Sequence, residues 1–196
     1  MRTNELIRAL EPVVKLFNDL GVGYYIGGSV ASSAYGVARA TLDIDLVTPL
    51  SLVHVKPLVE GLKSEFYIDE DMISEAIKTK SSFNLIHLES MVKIDVFILK
   101  EKPFYKKVFE RRIKDTLEDT DSPFAIYLCS REDVILTKLQ WYKIGGKISE
   151  HQWLDILGVF KVQHEKLDMQ YLKTWAKELS VDELLDKALK ESEVNN

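Results

Sequence analysis

Apolar and polar positions alternate in two different ways along the chain. Over residues 1–129, short apolar runs alternate with segments in which apolar residues recur every three or four positions. Short apolar runs are typical of strands, and apolar residues that recur every three or four positions are typical of amphipathic helices. From Ser130 onward only the helical spacing recurs. The pattern predicts an α+β fold, with a core over 1–129 and a helical C-terminal extension packed on that core over 130–196.

Turn and capping residues set the predicted bounds of these elements. Gly21 closes the first helix. Pro57 either kinks the predicted helix over 52–63 or marks its start. Two capping boxes, at Ser130 and Ser149, open the two helices that meet at a Gly-Gly turn over 145–146. The predicted helices of the core are 4–20, 52–63, 69–78 and 104–114, besides a short one after residue 29. The predicted strands are 22–26, 42–47, 66–68, 82–88, 91–99 and 124–128.

Composition narrows the class of protein. The chain has 196 residues and is 46% hydrophobic, which suffices for a substantial core. Its net charge of −5 argues against a surface built for nonspecific nucleic-acid binding. The single Cys129 excludes an intrachain disulfide and a multi-cysteine zinc site. We expect a cytoplasmic protein without membrane association, because the sequence shows no signal-peptide region and no apolar run of spanning length.

The candidate chemistry begins in a stretch of small residues. Gly27, Gly28 and Ser29 follow an apolar strand and open a short helix, and fourteen residues after Ser29 comes Asp43-Ile-Asp45 on a second strand. Residues i and i+2 of a strand point to the same side, roughly 6.6 Å apart. Paired carboxylates suit hard cations such as Mg²⁺, and a glycine turn at a helix N-terminus suits a phosphate.

A third acid lies on a later strand. Asp95 stands near the middle of the apolar run 91–99. An unpaired charge there is costly, and a metal shared with Asp43 and Asp45 would compensate it. The alternative is that Asp95 pairs with a structural lysine or arginine.

The ordered set of these features resembles the nucleotidyltransferase superfamily related to DNA polymerase β. That family has a Gly-Gly/Ser turn, a short helix, an Asp-x-Asp strand and a third carboxylate on a later strand. The resemblance implies a mixed sheet flanked by helices and a nucleotidyltransferase core over 1–129. It also implies Mg²⁺ or Mn²⁺ on Asp43, Asp45 and Asp95, with two ions at the reacting centre. The third acid matches less closely than the first two.

The helical half extends the resemblance to AbiEii-type nucleotidyltransferase toxins and their bacterial relatives. Lys138 and Asp155 match the lysine and aspartate that follow the core in that group. Asp155 stands among apolar residues of the next helix, so a partner is expected, and Lys138 on the preceding antiparallel helix is the candidate. The pair is either a salt bridge between helices or a phosphate-contacting lysine oriented by an aspartate. The shorter helical part of this chain departs from the toxin pattern.

The resemblance implies transfer of NMP from an NTP to an acceptor such as RNA (a tRNA), a protein or a small molecule, with a toxin role and an antitoxin partner as implied biology. Asp43, Asp45, Asp95 and Lys138 are the catalytic candidates. Nucleotide-binding candidates are Gly27, Gly28, Ser29, Arg39, Thr41 and Asp155. Arg39 is also a candidate for a surface ion pair with Asp43.

Two questions stay open at this stage. The basic and aromatic segment 100–114 is either an RNA-binding patch or the solvated face of an amphipathic helix. The rival functions are a non-catalytic nucleotide-binding or protein-interaction module, such as an antitoxin partner, and a metal-dependent hydrolase.

Overall fold

A computed structural model describes residues 2–41, 43–117 and 124–194. The chain divides into two compact units. The first comprises Met1–Gly27 and Ala40–Leu128, and the second comprises Gly28–Arg39 and Cys129–Asn196. The short helix that follows Gly27 therefore groups with the C-terminal helices.

The elements follow one another in the predicted alternation. The helices are α1 (Arg2–Asp19), α2 (Gly28–Tyr35), α3 (Val55–Leu62), α4 (Glu70–Thr79), α5 (Pro103–Glu110), α6 (Arg131–Ile144), α7 (Glu150–Gln163), α8 (Met169–Glu178) and α9 (Asp182–Val194). The strands are β1 (Tyr25–Ile26), β2 (Asp43–Thr48), β3 (Phe66–Tyr67), β4 (Ser82–His87), β5 (Lys93–Ile98), β6 (Ile113–Leu117) and β7 (Phe124–Leu128). Single 3₁₀ turns precede α3 and follow α7.

Within the described residues, the first unit contains a mixed sheet of seven strands in the order β3-β4-β5-β2-β1-β7-β6. The neighbouring pairs β2–β5 and β1–β7 are parallel, and the other neighbours are antiparallel. Strictly alternating burial along β2 and β5 places one face of each strand in the core, where Ile44, Leu46, Ile94 and Val96 are buried. This architecture confirms the predicted α+β class.

Local signals in the sequence account for most of the bounds. Gly21 ends α1 in the left-handed region with φ of 66°, which glycine adopts at little cost. Pro57 lies within the first turn of α3, where a missing N–H costs nothing. The Asp69 side chain caps α4 by accepting from the N–H of Met72. The predicted hairpin over 82–99 is present as β4 and β5.

Two predicted elements need correction. The helix expected over 104–114 ends at Glu110, and residues 113–117 form β6, which pairs with β7 in antiparallel register from Ile113↔Leu128 onward. Ladder hydrogen bonds to β7 outweigh the helical propensity of its charged residues. The first strand is two residues long rather than five. Leu42, predicted to start the second strand, lies outside the described residues.

The second unit is helical, as the pattern after Ser130 predicts. Ser130 and Ser149 cap α6 and α7, each accepting from a backbone N–H three residues on. Asp133 is fully buried at the start of α6 and accepts from the hydroxyls of Ser130 and Tyr171, both at 2.7 Å. This network fixes the start of α6 against α8. None of the helices in the described ranges is long and apolar enough to cross a membrane.

Candidate active site

Two parallel strands bring the three predicted acids together in the first unit. In the register of β2 against β5, Asp45 is the partner of Asp95 and Asp43 is the partner of Lys93. Because register partners point to the same side of a sheet, the three carboxylates share the face opposite the buried Ile44 and Leu46.

A lysine ammonium lies among these carboxylates. The Lys93 Nζ is 2.9 Å from Asp95 Oδ2 and 3.8 Å from Asp43 Oδ1. The pKa of the Lys93 ammonium is raised, mainly by its hydrogen bond to Asp95. Partial burial lowers that pKa, but the negative charges of Asp95, Asp43 and Asp45 raise it further. The alternative in which Asp95 pairs with a lysine is therefore the arrangement in this structure.

The sequence pattern predicted neither Lys93 nor Asn84 at this face of the sheet. Asn84 on β4 is exposed and is the register partner of Asp95, so the two residues lie on the same face of the sheet. The available signal for Lys93 was its place two residues before Asp95, which puts both side chains on one face of the strand.

The donor set fits a hard divalent cation in its chemistry. Three carboxylates supply the oxygen ligands that Mg²⁺ and Mn²⁺ accept, and the ammonium of Lys93 is a cation already in contact with two of them. In their present positions, however, no three His, Cys, Asp or Glu side chains among the described residues are disposed around one metal position. The oxygen ligands of a metal site are present, and in this structure Lys93 is a cation in contact with Asp95 and Asp43.

The predicted phosphate turn divides between the units. Gly27 ends the first segment of the first unit, and its N–H donates to the Asp45 carbonyl at 2.9 Å. Gly28 begins α2 with φ of 53°, a conformation that favours glycine. Ser29 lies in the first turn of α2, where no acidic side chain opposes an anion.

The second unit contains a cluster of two cations and one carboxylate. Arg39 donates from Nε to Asp155 Oδ1 at 2.8 Å and from Nη2 to Asp155 Oδ2 at 3.0 Å. The Lys138 Nζ donates to Asp155 Oδ2 at 2.8 Å. The Arg39 Nη2 also donates to Ser29 Oγ at 2.5 Å. Asp155, on α7, is thus bonded both to Lys138 on α6 and to Arg39, which lies in the segment after α2.

Exposure separates the two cations. The side chains of Lys138 and Asp155 are each 5% exposed, whereas Arg39 is 35% exposed. Burial raises the pKa of the Asp155 carboxyl, but the hydrogen bonds and charges of its two partners outweigh burial and hold it below its ordinary value. The ion pair predicted between Lys138 and Asp155 is confirmed, and Arg39 is the more exposed of the two cations.

Two further predicted residues have defined contacts. Arg39 binds Asp155, so the surface ion pair predicted with Asp43 is replaced by a pair inside the second unit. Thr41 in the first unit donates its hydroxyl to the Asp43 carbonyl at 3.2 Å and accepts from the Asp43 N–H at 3.4 Å. Thr41 therefore supports the start of β2.

The basic segment 100–114 follows the amphipathic alternative. On α5, Phe104 and Val108 are buried while Lys106 and Lys107 are exposed. The Arg112 guanidinium stacks 4.2 Å from the Phe109 ring centre. The aromatic rings therefore pack against protein, and the lysines occupy the solvated face.

Several solved structures are similar in fold to this chain. An antigenic nucleotidyltransferase-like protein from Paracoccidioides brasiliensis has a TM-score of 0.58 and 19% identity, over 97% of this chain and 94% of that chain. The antibiotic-resistance factor ANT(2'')-Ia, in complex with adenylyl-2''-tobramycin, has a TM-score of 0.55 and 10% identity, over 89% of this chain and 97% of that chain. A solution structure of the same factor has a TM-score of 0.51 and 12% identity, over all of both chains.

No protein-family model matches the sequence, and a search of the curated proteins finds no match. The likeness is therefore one of fold, that of the nucleotidyltransferases, and it does not single out the AbiEii-type group.

Proposed function

We propose that this protein transfers a nucleoside monophosphate from an NTP to an acceptor. The observation that carries the proposal is the register of β2 against β5, which puts Asp43, Asp45 and Asp95 on one face of two adjacent parallel strands. Like charges on neighbouring strands repel one another, so three carboxylates on one face are unfavourable unless cations offset them. Lys93 offsets only part of that charge, and a divalent cation would offset more. The fold shared with solved nucleotidyltransferase structures supports the same function.

The three carboxylates would hold Mg²⁺ or Mn²⁺. When bound, the divalent cation neutralises charge on the reacting phosphates and on the pyrophosphate that leaves. Asp43 and Asp45 supply ligands from β2, and Asp95 supplies one from β5. In this proposal Asp95 would also accept the proton that the acceptor loses.

The cluster in the second unit is suited to phosphate oxygens. Arg39 presents a guanidinium that is oriented by two hydrogen bonds to Asp155, and guanidinium groups bind phosphate with a planar set of donors. Ser29 adds a hydroxyl and backbone N–H groups at the start of α2. Lys138 lies behind Asp155, where it positions the carboxylate rather than contacting a ligand.

In the reaction, a nucleophilic oxygen or nitrogen of the acceptor attacks the α-phosphorus of the NTP. The new bond to phosphorus forms as the bond to the β-phosphate oxygen breaks, and pyrophosphate leaves with that electron pair. The proton of the nucleophile passes to a carboxylate of the acid cluster. An RNA, a protein and a small molecule can each supply such a nucleophile, so the acceptor class is decided by experiment.

The test is label transfer from each of the four α-³²P-NTPs, with Mg²⁺ or Mn²⁺. Total RNA, a protein extract and tobramycin serve as separate acceptors. Asp45→Asn is expected to abolish transfer while the fold, followed by circular dichroism, is retained. Asp71→Asn, at an exposed aspartate of α4, is the matched control and should keep full activity.

Two outcomes would overturn the proposal in favour of its rivals. Release of inorganic phosphate without any labelled acceptor would indicate a hydrolase. Binding of NTP without transfer or hydrolysis, whichever acceptor and metal are added, would indicate a non-catalytic nucleotide-binding or protein-interaction module. An antitoxin partner is one protein of that kind. A labelled RNA or protein together with growth arrest on expression would support the toxin role suggested by the AbiEii-type resemblance.

A further inference from the structure

Lys93 occupies the position in which a cation would contact the acid cluster. Its ammonium is in contact with Asp95 and within ion-pair distance of Asp43, which lie on two different strands. The register places Asp45 beside Asp95 on the same face. The ammonium therefore offsets part of the negative charge of the cluster in the structure.

We propose that Lys93 is a tethered counter-cation that a divalent metal ion must displace. The inference rests on the proposed function, because it assumes that Asp43, Asp45 and Asp95 are the metal ligands. It adds a residue that sets how tightly the protein holds the metal. Lys93 is a positioning residue in this proposal and is not a ligand.

A divalent ion and the Lys93 ammonium cannot both contact the same two carboxylates, because they repel each other and compete for the same space. A divalent ion bound to Asp95 and Asp43 would lie within a few ångströms of the present ammonium position, and like charges at that separation repel appreciably even in water. Both cations also need the same carboxylate oxygens. Binding of the metal therefore requires the ammonium to leave Asp95.

The side chain of Lys93 is able to leave. It is 37% exposed, so its ammonium can move into solvent on a flexible four-carbon stem. Asp95 is only 19% exposed and stands on the strand, so it remains in place when the ammonium moves. The consequence is a cluster that is partly neutralised without metal and that binds metal more weakly than three carboxylates alone would.

Metal binding to the full-length protein without nucleotide tests the proposal directly. Mn²⁺ affinity is measured by electron paramagnetic resonance for the wild type, Lys93→Met, Lys93→Arg and Lys56→Met. Lys56→Met removes one positive charge from an exposed position of α3 and controls for net charge. Circular dichroism and the thermal midpoint, with and without Mn²⁺, show whether each variant is folded.

Lys93→Met is expected to lower the Kd for Mn²⁺ about tenfold, because the competing charge is gone. Its thermal midpoint should also rise more on addition of Mn²⁺ than that of the wild type, because the stabilisation by a ligand grows with the ratio of its concentration to its Kd. Lys93→Arg, which keeps the charge, should stay within about threefold of the wild type. Lys56→Met should not change the Kd.

The results separate this inference from the proposed function. Equal Mn²⁺ affinity in the wild type and in a folded Lys93→Met would overturn the role of Lys93 even if label transfer is found. Tighter binding in Lys93→Met without any label transfer would support Lys93 as counter-cation and count against the transferase. Absence of Mn²⁺ binding in both proteins would overturn the metal site and this inference together.

Discussion

Arg39 and Asp155, which are 116 residues apart in the sequence, form a two-point ion pair in the second unit. The guanidinium donates two hydrogen bonds to the two carboxylate oxygens, and Lys138 donates a third to Oδ2. Asp155 therefore holds two cations of different exposure, one buried and one open to solvent. This difference allows stability and ligand binding to be tested separately at one carboxylate.

Lys138→Met should reduce stability and leave NTP affinity within about twofold of the wild type. The variant removes a charged hydrogen bond to a buried carboxylate, which costs roughly 1.5–3 kcal/mol when its other partner remains. Urea unfolding and NTP binding are measured on the same preparation. Lys173→Met, at an exposed lysine of α8, should change neither quantity. A tenfold loss of NTP affinity at unchanged stability would return Lys138 to the ligand-binding residues.

Arg39→Met should mainly weaken NTP binding, whereas Lys138→Met should mainly reduce stability. Hydrogen bonds to a charged group contribute roughly 1.5–3 kcal/mol. Loss of a guanidinium that binds phosphate should therefore weaken NTP binding by about tenfold or more. The stability loss should be smaller than for Lys138→Met, because Arg39 is partly exposed and Asp155 keeps its buried partner. Arg8→Met, at an exposed ion pair of α1, is the matched control. Unchanged NTP affinity in Arg39→Met would remove Arg39 from the site.

Acid should remove the contribution of Asp155 to stability. The pKa of its carboxyl is lower in the folded protein than in the unfolded chain, so the unfolded state binds the proton more readily. The stabilisation is therefore complete above the ordinary carboxyl pKa, near 4, and disappears as the pH falls through the lower folded value. The stability difference between the wild type and Asp155→Asn, measured in urea, should be constant from pH 7 to 5 and shrink toward pH 2. A difference that is unchanged at pH 2 would show that charge on Asp155 is not its source.

How far the sequence predicts this molecule depends on the range of each interaction. The Asp43–Asp45 spacing, the Asp95 strand and the cap at Ser130 are local patterns, and the structure shows each on the predicted type of element. The strand β6 was missed because its charged residues are not typical of a strand, and its ladder with the next strand, β7, holds it in place. The contact of Lys93 with Asp43 depends on the register of two strands that are separated by 44 residues, and no local pattern encodes that register.

The lysines of α5 should be dispensable for label transfer. Lys106 and Lys107 lie on the solvated face, and charge reversal at exposed positions has little effect on stability. Lys106→Glu with Lys107→Glu should therefore keep the wild-type rate with any acceptor, and its stability should change by no more than about 0.5 kcal/mol. A loss of transfer to RNA alone, with transfer to other acceptors intact, would support the RNA-binding alternative instead.

Gly36 marks a close approach of two segments in the second unit. A Cβ built at Gly36 would lie 2.8 Å from the carbonyl carbon of Gly158 and 2.8 Å from the backbone nitrogen of Val159, both in α7. Backbone atoms of a helix cannot turn aside as a side chain can, so Gly36→Ala should force the segment after α2 away from α7. We expect a loss of about 1–3 kcal/mol in urea unfolding, the usual cost of overpacking.

The matched control is Gly61→Ala in α3. A Cβ there would come as near as 2.7 Å, but to the end of the Leu16 side chain, which is able to change rotamer. Alanine also favours the helix by up to about 1 kcal/mol, so the net change should be small. Because Gly36 lies three residues before Arg39, its variant should also weaken NTP binding, whereas Gly61→Ala should not. Equal stability of the two variants would mean that the contact with α7 is looser than the structure shows.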